Sequence, residues 1–352
     1  MSIASRIHGC LLGGALGDSL GYVIEFDGIE TIRQRFGPDG LQDFSQLDSR
    51  THFSDDTQMT LYTVDGLVEA LEWANEGVAA NENACLWLAY LRWLATQDVA
   101  LPASAPRPQP RWIDAQEVLQ HRRAPGNACL SGLATGEMGT QARPVNPGSK
   151  GCGTVMRSAP FGLVPHISAE AAFKLAYDAS YLTHGHSAAA HSAGIFSVLI
   201  HGVCSGEQIR PALESALLHL NGRNPAPEVL SRINAALAAS ERASTGTLLS
   251  PEELVDTLGE GWVAEEALAV ALYAVLATEA STTTPEEHFR AAIALAINHR
   301  GDSDSTGSIA GNILGAQYGM DAIPAQWLEV LESPETITHM ADSLVAVTSG
   351  EV

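Results

Sequence analysis

Ser54-Asp55-Asp56 and Asp302-Ser303-Asp304-Ser305 lie far apart in the chain, and each sets hydroxyls beside two carboxylates. Such side chains are hard oxygen donors of the kind that bind Mg2+ or Mn2+. Each cluster also suits the first turn of a helix, where a Ser oxygen meets an orphan backbone N–H and acids suit the positive end of the dipole. A helix start accounts for one acid and one Ser. It does not account for two carboxylates and the hydroxyls of Ser303, Ser305 and Thr306 between Gly301 and Gly307. Counted from Asp302, an EF-hand loop needs a bidentate acid where Ile313 stands, so that kind of calcium site fails. The DxDxT string also opens phosphatases that form an aspartyl phosphoenzyme, but those place it after an apolar strand, and here Asn298-His299-Arg300-Gly301 precedes it. Together the two clusters predict a site for divalent metal ions.

The N-terminal run Gly9 to Gly21 places Gly9, Gly13, Gly17 and Gly21 on one helix face, where another helix can approach closely. Its spacing is neither GxGxxG after a strand nor GxxxxGK[ST], so nucleotide folds of those kinds are not supported. Asp18 and Glu25 remain as acids in an apolar segment and require an explanation. His184, His186 and His191 are spaced i, i+2, i+7, which does not bring them to one helix face and argues against a zinc site.

The elements that must hold these residues read as helices. Leu61, Val64, Leu67, Val68 and Leu71 recur at three and four, as do Leu268, Leu272, Val275 and Leu276. Strand-like alternation is hard to find, so an all-α protein is expected, with the distal cluster opening a helix over Ile309–Gln317. Leu101–Pro110 is a proline-rich loop and Ala142–Gly153 an irregular stretch, but neither has the length of an interdomain linker. Residues 1–352 are therefore expected to form one domain, with Ser205–Gly261 as peripheral helices.

With 45% hydrophobic and 17% charged residues the chain can bury a sizeable core, and a net charge of −22 disfavours nucleic-acid and membrane-surface roles. The apolar stretches Ala188–Cys204 and Val263–Thr278 read as buried helices, not membrane spans. Five scattered cysteines without a CxxC pair fit reduced thiols in a cytoplasmic protein. No signal peptide is read at the N-terminus.

Taken in order, GxxxGxxxGDxxG…EF (Gly9–Phe26), SDDTxM (Ser54–Met59), GxGxxMRxAPxGL (Gly151–Leu163), LTHGHxxA (Leu182–Ala189) and the GDxDSxG terminus (Gly301–Gly307) resemble the ADP-ribosylglycohydrolase family from Ile7 to about Gly319. The resemblance implies a compact orthogonal multi-helix bundle around a central dinuclear site for Mg2+, with Mn2+ as the alternative. By the same resemblance the metal ligands are Ser54, Asp55, Asp56, Asp302, Asp304 and Ser305, with Ser at two positions where the family has Thr. Glu25 is the implied catalytic acid, and Asp304 joins it as a catalytic residue. Gly151, Gly153 and Thr154 resemble a diphosphate loop followed by Met156 and Arg157, and His184 and His186 fall near the site. Arg157 could instead pair with a carboxylate of the core.

The implied activity is removal of ADP-ribose from modified protein side chains, arginine foremost, and a specific version of it is an immunity protein that reverses the action of an ADP-ribosyltransferase toxin. A non-enzymatic protein that blocks its partner sterically, and a hydrolase of a free ADP-ribosyl metabolite, are the alternatives. Breaking the bond at the ribose anomeric carbon develops oxocarbenium character and needs a protonated leaving group and an activated water.

Overall fold

The computed structural model describes residues 1–48, 50–243 and 246–349. Its helices follow one another as α1 (Ile3–Gly21), α2 (Ile29–Phe36), α3 (Asp55–Asn75), α4 (Glu82–Ala95), α5 (Asn127–Ala134), α6 (Ala159–Gly162), α7 (Ala169–Ser180) and α8 (Ser187–Cys204). They continue as α9 (Ile209–Leu218), α10 (Pro227–Ala243), α11 (Pro251–Leu258), α12 (Ala264–Thr278), α13 (Pro285–Ile297), α14 (Ser303–Tyr318), α15 (Ala325–Val330) and α16 (Pro334–Ser349). Among the described residues there is no strand, and the extended pairing consists of isolated bridges at Thr140–Arg143 and Gly151–Val263. The all-α expectation holds.

The centre of the protein is a seam in which α1 and α14 run antiparallel with their backbones in contact. A methyl on Gly17 would lie 2.0 Å from the Gly307 carbonyl oxygen, and one on Gly311 would lie 2.0 Å from that of Gly13. The four-residue glycine spacing of α1 is thus matched by Gly307, Gly311 and Gly315 on α14, and neither helix tolerates a Cβ there. Arg6 locks the far end of the seam by donating to the carbonyls of Ala316 and Gln317, at 2.7 Å each. The geometry has one consequence for function: the C-terminal end of α1, with Asp18 and Glu25, is brought to the N-terminal end of α14, with Asp302 and Asp304.

Helices α8, α12 and α13 enclose α14, while α16 packs on α1 and α3. α8 is long and apolar enough to cross a membrane by composition, but 83% of it is buried against the other helices. α10, within the stretch expected to be peripheral, packs extensively on α12. The distal helix begins at Ser303, not Ile309. Asp302 is its N-cap residue, and Asp304 and Ser305 belong to its first turn, because that turn is buried and anchored from outside: the Asp302 N–H donates to the Glu260 carbonyl at 2.9 Å.

Candidate active site

Three helix ends and one turn build the site. α3 starts at Asp55, and Ser54 caps it by accepting from the Asp56 N–H at 3.1 Å. A second cap comes from α1: the Asp18 carboxylate accepts from the Ser54 N–H at 2.8 Å, the Thr57 N–H at 3.0 Å and the Thr57 hydroxyl. Asp18 therefore joins the α1–α14 seam to the start of α3, which explains an acid inside an apolar helix. On the other side, the Arg123 carbonyl accepts from the Asp55 N–H at 3.1 Å, and the Gly126 N–H approaches Asp55 Oδ2 at 3.3 Å. Arg123 is itself fixed by the Phe53 carbonyl at 3.0 Å and by Glu332.

From α14, Ser305 donates to Asp56 Oδ2 at 2.8 Å, linking the two acidic clusters directly. Asp304 accepts from the Ser305 N–H at 3.0 Å, and the Cys152 thiol lies 2.7 Å from Asp302 Oδ2. Glu25 sits in the turn that follows α1. The Ile24 N–H donates to the Gly21 carbonyl and the Asp27 N–H to the Ile24 carbonyl, both at 2.9 Å. Arg35 of α2 clamps the turn through the Val23 carbonyl at 3.2 Å and through Asp27.

These pieces surround a cavity of about 390 Å3 lined by Glu25, Asp55, Asp56, Asp302, Asp304 and Ser305, with Gly151, Gly153, Met156 and His184 on a further wall. Burial pushes the carboxyls of Asp55, Asp56 and Asp302 well above the usual range, and the charge of Asp304 adds to it. Asp304 is raised as well, by burial, against hydrogen bonds from its neighbours. Burial first, then Asp304, lifts Glu25 to about 10 and Asp18 to about 7. So many carboxyls facing one another at low dielectric call for a cation.

The donor set fits one. Ligand atoms of Glu25, Asp302 and Asp304 lie within 4.8 Å of one another, and Glu25 Oε2 is buried with no hydrogen-bond partner among the described residues. All the donors are oxygens of hard type, which suits Mg2+ or Mn2+. Both serines at the family's Thr positions are engaged by Asp56, and nothing in the structure explains why Ser stands there.

Not every expected contact faces the cavity. Ser54 is fully buried as the cap of α3 and does not line it. Thr154 is buried and donates to the Ala189 carbonyl at 3.2 Å. Arg157 is 1% exposed and points into the core, where its guanidinium lies 4.5 Å from the centre of the Tyr90 ring and donates to the Thr183 hydroxyl at 2.7 Å. It also approaches the sulfurs of Met59 at 3.7 Å and of the cavity-lining Cys129 at 3.6 Å, and among the described residues it pairs with no carboxylate. His186 caps α8, accepting from the Ala188 N–H at 3.1 Å, and His191 turns toward Tyr177. The three histidines thus serve three different places.

Other groups reach the cavity beyond the site residues expected from the sequence. Gly126, Asn127 and Ala128 open α5 toward it without a side-chain cap, and such an end favours an anion. Phe26 and Trp262 stand at its edge, 73% and 40% exposed, with ring centroids 6.4 Å apart and planes 21° from parallel. Trp262 is held to the glycine loop by backbone pairing, its carbonyl accepting from the Cys152 N–H at 3.2 Å. Phe26 follows Glu25 directly, and that adjacency is the one signal in the sequence that could have marked it.

Comparison with known proteins agrees with this architecture. ADP-ribosylhydrolase ARH3 of Homo sapiens is 26% identical over 362 residues, covering 97% of this chain and 93% of that protein. ADP-ribosylarginine hydrolase Tri1 of Pseudomonas putida is 25% identical, covering 96% of this chain and 77% of that protein. ADP-ribosyl-(dinitrogen reductase) glycohydrolase of Rhodospirillum rubrum is 24% identical, covering 98% and 97%. A solved structure described as an ADP-ribosylglycohydrolase-related protein complex shares the fold, with a TM-score of 0.65 at 23% identity over 99% of both chains. The family model for ADP-ribosylglycohydrolase matches residues 1–351. This chain belongs to the ADP-ribosylglycohydrolase family and is a glycohydrolase.

Proposed function

We propose that this glycohydrolase is metal-dependent and releases ADP-ribose from modified protein side chains, with arginine as the acceptor. The observation that carries the reading is the convergence of Glu25, Asp55, Asp56, Asp302 and Asp304 on one cavity, with Glu25 Oε2 left without a partner among the described residues. Bound among these oxygens, two Mg2+ or Mn2+ ions would supply positive charge to grip ribose hydroxyls and polarise a water. Glu25 and Asp304 are the catalytic residues of this reading. Glu25 has the position to serve as acid at the departing nitrogen or oxygen and then as base. The Gly151–Gly153 loop and the open end of α5 take the diphosphate.

Arginine is favoured by the rim. A guanidinium is planar and cationic, so it gains both from the acidic floor and from the exposed faces of Phe26 and Trp262. A serine acceptor would use neither.

The test is ADP-ribose release from an ADP-ribosyl-arginine protein incubated with the chain and Mg2+. Release is expected, and it should vanish with EDTA or in Asp304→Ala. Phe26→Ala should lower kcat/KM about fivefold for arginine-linked substrate, and much less for serine-linked substrate. Release that survives Asp304→Ala undiminished would sink the metal-centred reading. If the protein guards a cell against an ADP-ribosylating toxin, protection should be lost in Glu25→Ala; protection that persists there identifies a steric blocker instead.

A further inference from the structure

Arg157 and Thr183 stand outside the cavity, yet Arg157 is bonded to Thr183 and Thr183 to His184, which lines it. The Arg157 guanidinium donates to Thr183 Oγ1 at 2.7 Å, and Thr183 Oγ1 lies 2.8 Å from His184 Nδ1. A guanidinium has no acceptor, so the Thr183 oxygen must accept from it. The single Thr183 proton then has two destinations, His184 Nδ1 at 2.8 Å or the Ser180 carbonyl at 3.5 Å. The shorter contact has good hydrogen-bond length and the longer one is at its limit. The opposite arrangement would aim two donors, Arg157 and a protonated Nδ1, at one oxygen and leave the hydroxyl proton with the poor contact. The neutral imidazole that accepts at Nδ1 carries its proton on Nε2. That nitrogen lies against the glycine loop, 3.0 Å from where a methyl on Gly151 would stand.

We propose that Arg157 and Thr183 are positioning residues, which through this chain hold His184 as the Nε2–H tautomer and so present a donor to the diphosphate of the substrate. The inference rests on the proposed placing of the diphosphate at the glycine loop. It gives the buried Arg157 a purpose, with two residues between it and the substrate. Burial, and then the Arg157 charge, depress His184 to about 3, so the ring stays neutral at neutral pH and acts through its tautomer.

The full chain, loaded with Mg2+ and 15N-labelled at histidine, tests this by NMR, with ADP-ribose as the probe. His184 should show a protonated Nε2 and an unprotonated Nδ1, and the Nε2 resonance should shift when ADP-ribose binds. Thr183→Val, which removes the donor while keeping the shape, should disturb the tautomer and weaken ADP-ribose binding about tenfold; Thr183→Ser should restore both. A wild-type spectrum with the proton on Nδ1 overturns the relay, whether or not the variants fold, and unchanged binding in Thr183→Val does the same. A protonated Nε2 that ADP-ribose leaves unmoved overturns the role toward the diphosphate and, with it, the placing of that group. Failure of the wild-type protein to bind ADP-ribose at all overturns the proposed function itself.

Discussion

Asp18 shows how a carboxylate can serve the site without lining it. Its two oxygens take the N–H groups of Ser54 and Thr57 and the Thr57 hydroxyl, so it fixes the first turn of α3 and hence the direction of Asp55 and Asp56. Charged acceptors of backbone N–H groups form strong hydrogen bonds, and a buried donor left unmet costs about 1–3 kcal/mol. Asp18→Asn keeps the shape but turns one acceptor into a donor facing other donors. It should weaken Mg2+ binding about tenfold and lower the melting temperature by several degrees. Calorimetric titration with Mg2+ and a thermal melt would check both, and an unchanged Mg2+ affinity would count against Asp18 as a support of the metal site.

At the scale of the element, the α1–α14 seam decides whether a site exists. It sets two backbones in contact so that the end of one helix and the start of the other share a cavity. Gly311→Ala would drive a methyl to 2.0 Å from the Gly13 carbonyl oxygen, and backbone of that kind cannot move aside cheaply. A loss of at least about 3 kcal/mol of stability is expected. Gly148→Ala is the control: nothing lies within 4 Å of the added carbon, and the change should stay within about 0.5 kcal/mol. Denaturant titration of the two variants measures the difference, and similar stabilities would contradict the seam.

For the molecule as a whole, the acidic centre ties folding to pH and to cations. Carboxyls in an unfolded chain ionise near pH 4, whereas Glu25 is raised to about 10 in the fold. Between pH 7 and 9 the metal-free fold keeps a proton that the unfolded chain has lost. Stability therefore falls as pH rises, by up to about 1.4 kcal/mol per pH unit for each such group. Below about pH 6.5 the sign reverses for His184, lowered to about 3, because the unfolded chain takes up the proton first. Melting in EDTA should show a falling transition temperature from pH 7 to 9, and Mg2+ should flatten that fall by holding the carboxylates ionised. A transition that rises over that range in EDTA, or ignores Mg2+, would contradict the acidic centre as a cation site.

Much of this is legible in the sequence. Helical spacing is a local property of the chain, so α3 and α12 could be read from Leu61–Leu71 and Leu268–Leu276. The chemistry of the acidic clusters is likewise written in their residue types, as is the capping of α3 by Ser54. What the tertiary structure alone decided is which groups meet. The glycines of α1 announced a close partner, but only packing showed that partner to be α14. That meeting brings Glu25 beside Asp302 and Asp304. Arg157 adjoins a glycine loop in sequence and faces the core in space, while Phe26 and Trp262, far apart in the chain, share one rim. The reason is physical: propensity and capping act over a few residues, whereas a metal site and its rim depend on side-chain directions set by contacts between segments hundreds of residues apart.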